Sequence, residues 1–305
     1  MEIRRILCPI DFSDHSRRAL NHAGAIAKWY GARITALHVF SCGPPAVSAP
    51  GPVVLETTVL TAIDGERLRV DAQAFIEAEK PAGISIDAMV LEGRPADEIV
   101  NEASSTGADL IVIGTHGRSG FDRLLLGWVA EKVLRKAACP VLTVPRQCPD
   151  APVSPLLLKR ILCPVDFSRS SLHALEHAVS LTEATKGQLV VLHVSAHELG
   201  QTGDGASAIP DPDMTIADFL KDREDAIRRR LGECVADVPE ACSVEVVMTH
   251  GKPWREILRI AAERQSQLIV MGVQGRGSAG RWFFGSTTQH VVRQAVCPVL
   301  THRHN

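Results

Sequence analysis

The chain contains itself twice. The run Arg5-Ile-Leu-Cys-Pro-Ile-Asp-Phe-Ser13 returns as Arg160-Ile-Leu-Cys-Pro-Val-Asp-Phe-Ser168, and Gly114-Thr-His-Gly117 returns as Gly272-Val-Gln-Gly275. The offset is 155 at the first motif and 158 at the second, so the second copy gains three residues net between His193 and Gly251. A repeat of this length is a whole domain and not a solenoid unit, whose period is roughly 20–50 residues. A chain of 305 residues agrees, since one domain takes about 150. The expected division is a first domain at 1–146, a linker at 147–157 within a stretch carrying Pro145, Pro149, Pro152 and Pro155, and a second domain at 158–305. Duplication also supplies an internal comparison: each residue can be set beside its twin.

Composition excludes several classes of function. A net charge of −2 gives no electrostatic footprint for nucleic acid, and 8 Phe, 4 Trp and 1 Tyr leave little for stacking bases. No apolar run approaches the ~20 residues of a membrane helix. The N-terminus enters a repeated strand without the apolar stretch of a signal peptide, so a cytoplasmic location and no membrane partner are expected. Cys8 and Cys163, and likewise Cys139 and Cys297, are twins in apolar, strand-like contexts and read as buried small hydrophobes. No Cys-x-x-Cys pair occurs, which removes zinc-ribbon and thioredoxin-like readings.

Each copy alternates β-branched runs with amphipathic stretches. In the first, strands are expected at 5–10, 34–39, 84–91, 109–113 and 140–144, with helices at 13–30, 58–80, 95–105 and 128–137. The second copy repeats the strands at 160–165, 189–194, 244–249, 268–271 and 298–301. Leu110-Ile-Val-Ile113 and Leu268-Ile-Val-Met271 are apolar on both faces, the pattern of parallel strands covered by helices on each side. The fold class is therefore α/β: two copies of a doubly wound, Rossmann-like parallel sheet. The connections at 41–57 and 195–214 are the longest irregular stretches and read as functional flaps or disordered segments.

In open parallel sheets, ligands sit beyond the carboxyl ends of the strands. Two elements should meet there: Asp11 or Asp166 after the first strand, and the glycine loop after the fourth. In the second copy that loop runs from Gly272 and Gly275 to Gly285-Ser286-Thr287, opening a helix at 286–295. Glycines permit close backbone approach, and the helix N-terminus with Ser286 offers an anion site. Arg276 and Arg281 can neutralise phosphate, and Asp166 can accept from ribose hydroxyls or an adenine amine. Together these residues describe a nucleotide pocket.

Pro-Val-Asp-Phe-Ser at the first strand, Leu-His-Val at the second, Gly-Lys-Pro before the third helix, and Gly-x2-Gly-x9-Gly-Ser resemble the universal stress protein family. The resemblance spans nearly the whole chain as a tandem pair. It implies five-stranded parallel sheets of the adenine nucleotide alpha hydrolase-like type, in strand order 3-2-1-4-5. It implies binding of ATP, or of ADP or AMP, with Mg possible alongside. The residues it implicates are Pro164, Val165, Asp166, Val194, Met271, Gly272, Gly275, Arg276, Gly285, Ser286 and Thr287, and more weakly Asp11, Gly114, Gly117 and Gly127. It further implies a regulatory role in stress response and pairing of the two domains through their last strands in a pseudo-dimer, with a homodimer possible.

The first copy departs where Ser286 is replaced by Trp128. An indole lacks the hydroxyl that could cap a helix or bind phosphate, so nucleotide binding is expected chiefly in the second copy. Trp128 is expected either to pack between the domains or to obstruct the phosphate position. No catalytic or metal-ligating set is read from the sequence. His173 and His177, four apart on a helix, suit packing or a solvated face better than a metal. His38 and His193 suit a structural hydrogen bond. His302 and His304 should be exposed, and Arg228-Arg229-Arg230 should be a solvated helix face. There is no Walker lysine loop and no Gly-x-Ser-x-Gly elbow. Two alternatives stand beside nucleotide binding: a slow ATP hydrolase, and a carrier of an apolar or lipid-like ligand in the first copy, lined by Leu124, Leu125 and Leu126.

Overall fold

A computed structural model describes residues 2–41, 54–79, 83–116, 126–148, 158–195, 215–236, 238–239, 242–274 and 285–303. Two compact units divide the chain, one of Glu2–Pro155 with Val292–Arg303, the other of Leu156–Val291.

In the first unit, β1 (Arg5–Pro9) is followed by α1 (Asp14–Tyr30), β2 (Arg33–Phe40), α2 (Val54–Glu79), β3 (Ile86–Glu92), α3 (Pro95–Ser105), β4 (Leu110–Gly114), α4 (Trp128–Lys136) and β5 (Val141–Val144). The order across the sheet is β3-β2-β1-β4-β5, with every pair among these parallel. Ser13 caps α1 by accepting from the Ser16 N–H at 3.2 Å. Pro95 opens α3, where its missing N–H costs nothing. All five residues of β4 are buried, as a strand covered on both faces must be. Helix α2 begins at Val54 and not near 58, because nothing after Pro52 breaks the helix.

The second unit repeats the plan with β6 (Arg160–Pro164), α5 (Arg169–Thr185), β7 (Gln188–Ser195), α6 (Ile216–Val235), β8 (Ser243–His250), α7 (Pro253–Glu263) and β9 (Leu268–Gly272), in sheet order β8-β7-β6-β9. Helix α8 (Ser286–Gln294) and β10 (Val299–His302) end the chain. Strand β10 is grouped with the first unit, where it pairs antiparallel with β5. The register sets Leu300 opposite its own twin Leu142, with Val299 opposite Thr143 and Thr301 opposite Val141. Thr143 Oγ1 donates to the Val299 carbonyl at 3.2 Å and Thr301 Oγ1 to the Val141 carbonyl at 3.1 Å, so these two buried hydroxyls are satisfied.

The fold class read from the sequence is the one observed, two α/β copies built on mostly parallel strands. Each core centres on its first strand: Ile6, Leu7 and Cys8 in one copy, Ile161, Leu162 and Cys163 in the other, none above 1% exposed. Removal from water drives Cys8 and Cys163 thiols far above the ordinary range and Cys139 up to about 11. These thiols are packing groups and not nucleophiles.

Candidate functional site

The second copy shows how the sheet end is assembled. Phe167, immediately after Asp166, has a left-handed backbone with φ 61°, uncommon for a bulky residue. That turn brings the Asp166 carboxylate back over the start of α5. Its Oδ1 accepts from the Ser168 N–H at 3.0 Å and the Ser168 hydroxyl at 2.6 Å. Buried His193 on β7 fixes the other side, its Nδ1 lying 2.7 Å from the Val165 carbonyl and its ring 5.1 Å from that of Phe167. The Arg230 guanidinium covers Phe167 at 4.3 Å.

The end of β9 reaches the same point. A Cβ on Gly272 would stand 2.7 Å from the Ser170 carbonyl carbon and 2.6 Å from its Oγ, so only glycine lets the strand pass this close to α5. The Ser170 hydroxyl donates to the Gln274 carbonyl, tying the start of the glycine loop to the helix. Helix α8 is then set over the strand end by two bonds at 3.0 Å: Gly285 N–H to the Val273 carbonyl, and Thr288 Oγ1 to the Gly272 carbonyl. Its first residue, Ser286, is exposed. The arrangement gathers a carboxylate, two serine hydroxyls and a helix N-terminus at one edge, which suits a ligand with both hydroxyl and anionic groups.

The first copy keeps this frame and changes its side chains. Phe12 has φ 63°, Asp11 Oδ1 accepts from the Ser13 N–H at 3.1 Å and from its hydroxyl at 2.5 Å, and His38 Nδ1 lies 2.8 Å from the Ile10 carbonyl. Gly127 N–H bonds the Thr115 carbonyl at 2.8 Å, as Gly285 does its counterpart. Where the second copy has Ser170 and Gln274, however, the first has His15 and His116, with ring centroids 5.8 Å apart. Burial is the main cause that pushes both imidazoles below their ordinary pKa, helped by the cationic Arg146 nearby.

A family model described as "Universal stress protein family" matches residues 2–145 and again 158–303. The chain belongs to the universal stress protein family. A universal stress protein of Methanocaldococcus jannaschii is 40% identical over 145 residues, covering 46% of this chain and 81% of that one. One from Mycolicibacterium smegmatis is 27% identical over 304 residues, covering 98% of this chain and 96% of its own. The crystal structure of a universal stress protein from Archaeoglobus fulgidus has a TM-score of 0.71 at 26% identity, with 100% of both chains covered. Two universal stress protein domains are therefore present, in tandem.

Within this tandem universal stress protein, Asp166, Gly272 and Gly285 come together through the bonds just described, with Ser286 and Thr287 in the first turn of α8. Val165 and Met271 are buried and line the strand ends from within, while Pro164 and Val194 are half-buried. Asp11, Gly114 and Gly127 occupy the matching places in the first copy. Gly275, Arg276, Arg281 and Gly117 lie outside the described residues, as do Leu124 and Leu125; Leu126 is buried.

Two details differ from the sequence reading. The N-cap of α4 is Gly127, with no side-chain cap bond, so Trp128 and its twin Ser286 are first helical residues and not caps. The first copy therefore lacks an exposed hydroxyl at the first helical position and not a helix cap. Trp128 is also 59% exposed, which is not the burial expected of a packed interface residue. Elsewhere, His173 Nδ1 lies 3.2 Å from Glu176, Arg228 pairs with Glu224 at 3.1 Å, and Arg228, Arg229 and Arg230 are exposed as expected, with the Arg230 guanidinium also covering Phe167. Ser168, Ser170, Gln274, His15 and His116 were missed as site residues. The signal was available, because positions 15 and 170, and 116 and 274, are twins with unlike chemistry.

Proposed function

We propose that this tandem universal stress protein binds an adenine nucleotide, ATP or ADP or AMP, chiefly in its second copy, and acts as a regulator in stress response. The observation that carries the reading is the anchored N-terminus of α8. Gly285 and Thr288 hold it over the end of β9 while Ser286, at its first position, faces solvent. Backbone N–H groups there and the helix dipole attract phosphate, and the Asp166 carboxylate at the neighbouring strand end suits ribose or adenine. The ligand set extends to Pro164, Val165, Val194, Met271, Gly272, Gly275, Arg276 and Thr287, with Mg accompanying a triphosphate. Asp11, Gly114, Gly117 and Gly127 give a weaker site in the first copy, where Trp128 stands in place of the serine.

The same proposal assigns domains at 1–146 and 158–305, joined by 147–157 and paired as a pseudo-dimer through their last strands. Support comes from the β5–β10 register, which places Leu142 opposite its twin Leu300. A homodimer of the tandem chain is a further level of the same kind. Free cysteines at seven of the described positions suit a reducing, cytoplasmic compartment. Mass spectrometry of ligands carried through purification tests the reading. An adenine nucleotide at about one per chain is expected, lost in Ser286→Trp and kept in Trp128→Ala. An apolar ligand, or retention of nucleotide by Ser286→Trp, would overturn it.

A further inference from the structure

The first copy carries a side-chain cluster that its twin lacks entirely. His15, in the first turn of α1, and His116, two residues beyond β4, have ring centroids 5.8 Å apart at an interplanar angle of 50°. His15 Nδ1 and His116 Nε2 are both shielded from solvent, and neither has a hydrogen-bond partner among the described residues. A buried nitrogen without a partner is costly, and native proteins rarely leave two of them side by side. Packing alone gives no reason to retain the pair.

Hydrogen bonding around the pair fits one tautomer of His116. Thr115 Oγ1 lies 3.5 Å from the Val144 carbonyl, which can take its proton, and 3.0 Å from His116 Nδ1. In the tautomer with a proton on Nδ1 the hydroxyl accepts from it, and the lone pair of His116 is on Nε2, the nitrogen without a partner among the described residues. This is the arrangement of a metal-ligating histidine, whose other nitrogen donates to an oxygen that orients the ring. The spacing agrees. A tetrahedral ion with metal–nitrogen bonds of ~2.0–2.1 Å holds two imidazole centroids about 5–6 Å apart. Arg146 and Arg18 face His15 together with Asp11 and Asp14, and Arg146 also faces His116, so the imidazoles are held neutral, the form that ligates a metal.

We propose that His15 and His116 form a site for a divalent transition-metal ion of the zinc type, oriented by Thr115 and present only in the first copy. Water completes the coordination. All three positions change together in the second copy, to Ser170, Gln274 and Val273, none of which can supply an imidazole. The twins also provide the controls, because each replacement is already accommodated at the equivalent backbone position.

The test uses the full chain, stripped with chelator and titrated with Zn²⁺ by calorimetry and with Co²⁺ by visible absorption. The wild type is expected to bind one more equivalent than the His15→Ser, His116→Gln double variant and to show tetrahedral Co²⁺ bands that the variant loses. The other histidines give the same background in both. Thr115→Val keeps both ligands and is expected to weaken this equivalent about 10–100-fold. Zn²⁺ should raise the melting temperature of the wild type more than that of the double variant, and circular dichroism without metal shows whether each variant folds. Equal stoichiometry and affinity in wild type and double variant would overturn the proposal, as would unchanged affinity in Thr115→Val should the double variant not fold.

Discussion

At the sheet end of the second copy stand two serine hydroxyls, Ser168 bonded to the Asp166 carboxylate and to Ser170, and both bonded to the main-chain carbonyl of Gln274. At the same place in the first copy stand two imidazoles with an indole nearby, on a backbone that repeats even the left-handed turn at Phe12 and Phe167. The frame was kept while the chemistry on it diverged. Duplication relaxes the demands on side chains that touch ligand, whereas the close approach of strand and helix is a packing demand that neither copy can drop. The joints between neighbouring helices diverged as well. Asp97 on α3 takes Lys132 and Lys136 of α4 at 2.9 and 2.8 Å, while the second copy replaces these ion pairs with Trp254 stacked on His290 at 5.0 Å.

The packing side of this comparison is broken most severely at the glycine beneath the site. Gly272→Ala is expected to cost about 1–3 kcal/mol, because its Cβ must push aside the Ser170 backbone. Gly114→Ala should cost less, its Cβ meeting the His15 carbonyl oxygen at 3.1 Å. Thermal melts of the two variants rank them, and equal costs would show that the second copy is not the tighter one.

The helix ends sharpen the contrast at about 1 kcal/mol each. After α1 and α3 the first copy uses Gly31 and Gly107, at φ 67° and 57°. The second copy has Lys186 and Gln265 at φ 50° and 49° after α5 and α7. A side chain in this conformation carries roughly 1–2 kcal/mol of strain. Lys186→Gly and Gln265→Gly should therefore stabilise, and Gly31→Ala should destabilise, when measured by urea unfolding.

The smallest effect is electrostatic. Lys136 and Lys132 hold the Asp97 carboxyl down at about 2. Its stabilising contribution is present above the ordinary carboxylate range and is lost as pH falls from about 4 towards 2. Asp97→Asn should flatten the acid limb of the stability profile slightly and reduce its salt dependence, and an unchanged profile would assign the α3–α4 joint to packing alone.

The fold was legible because it rests on local features: apolar runs such as Leu110–Ile113 and a motif order that recurs in both copies. The three-residue shift between offsets also marked where the copies differ. The frame of the candidate site was legible at Asp166, Gly272 and Gly285, whose residue types announce a strand end and a tight approach. What escaped was anything depending on contacts distant in sequence. Nothing local to His15 announces His116, 101 positions away. Nothing in Arg228-Arg229-Arg230 marks which of the three covers Phe167. The place of Ser286 needed the helix start to one residue, which the bonds from Gly285 to Val273 and from Gln289 to Gly285 define.

Calorimetric titration of the full chain with Mg-ATP tests the central claim, that one frame carries two unequal sites. One binding event per chain is expected, weakened about tenfold or more by Ser286→Trp, since a hydrogen bond to a charged group contributes about 1.5–3 kcal/mol, and unaffected by Trp128→Ala. Two equal events per chain, or a single event that survives Ser286→Trp and disappears with Asp11→Ala, would contradict it.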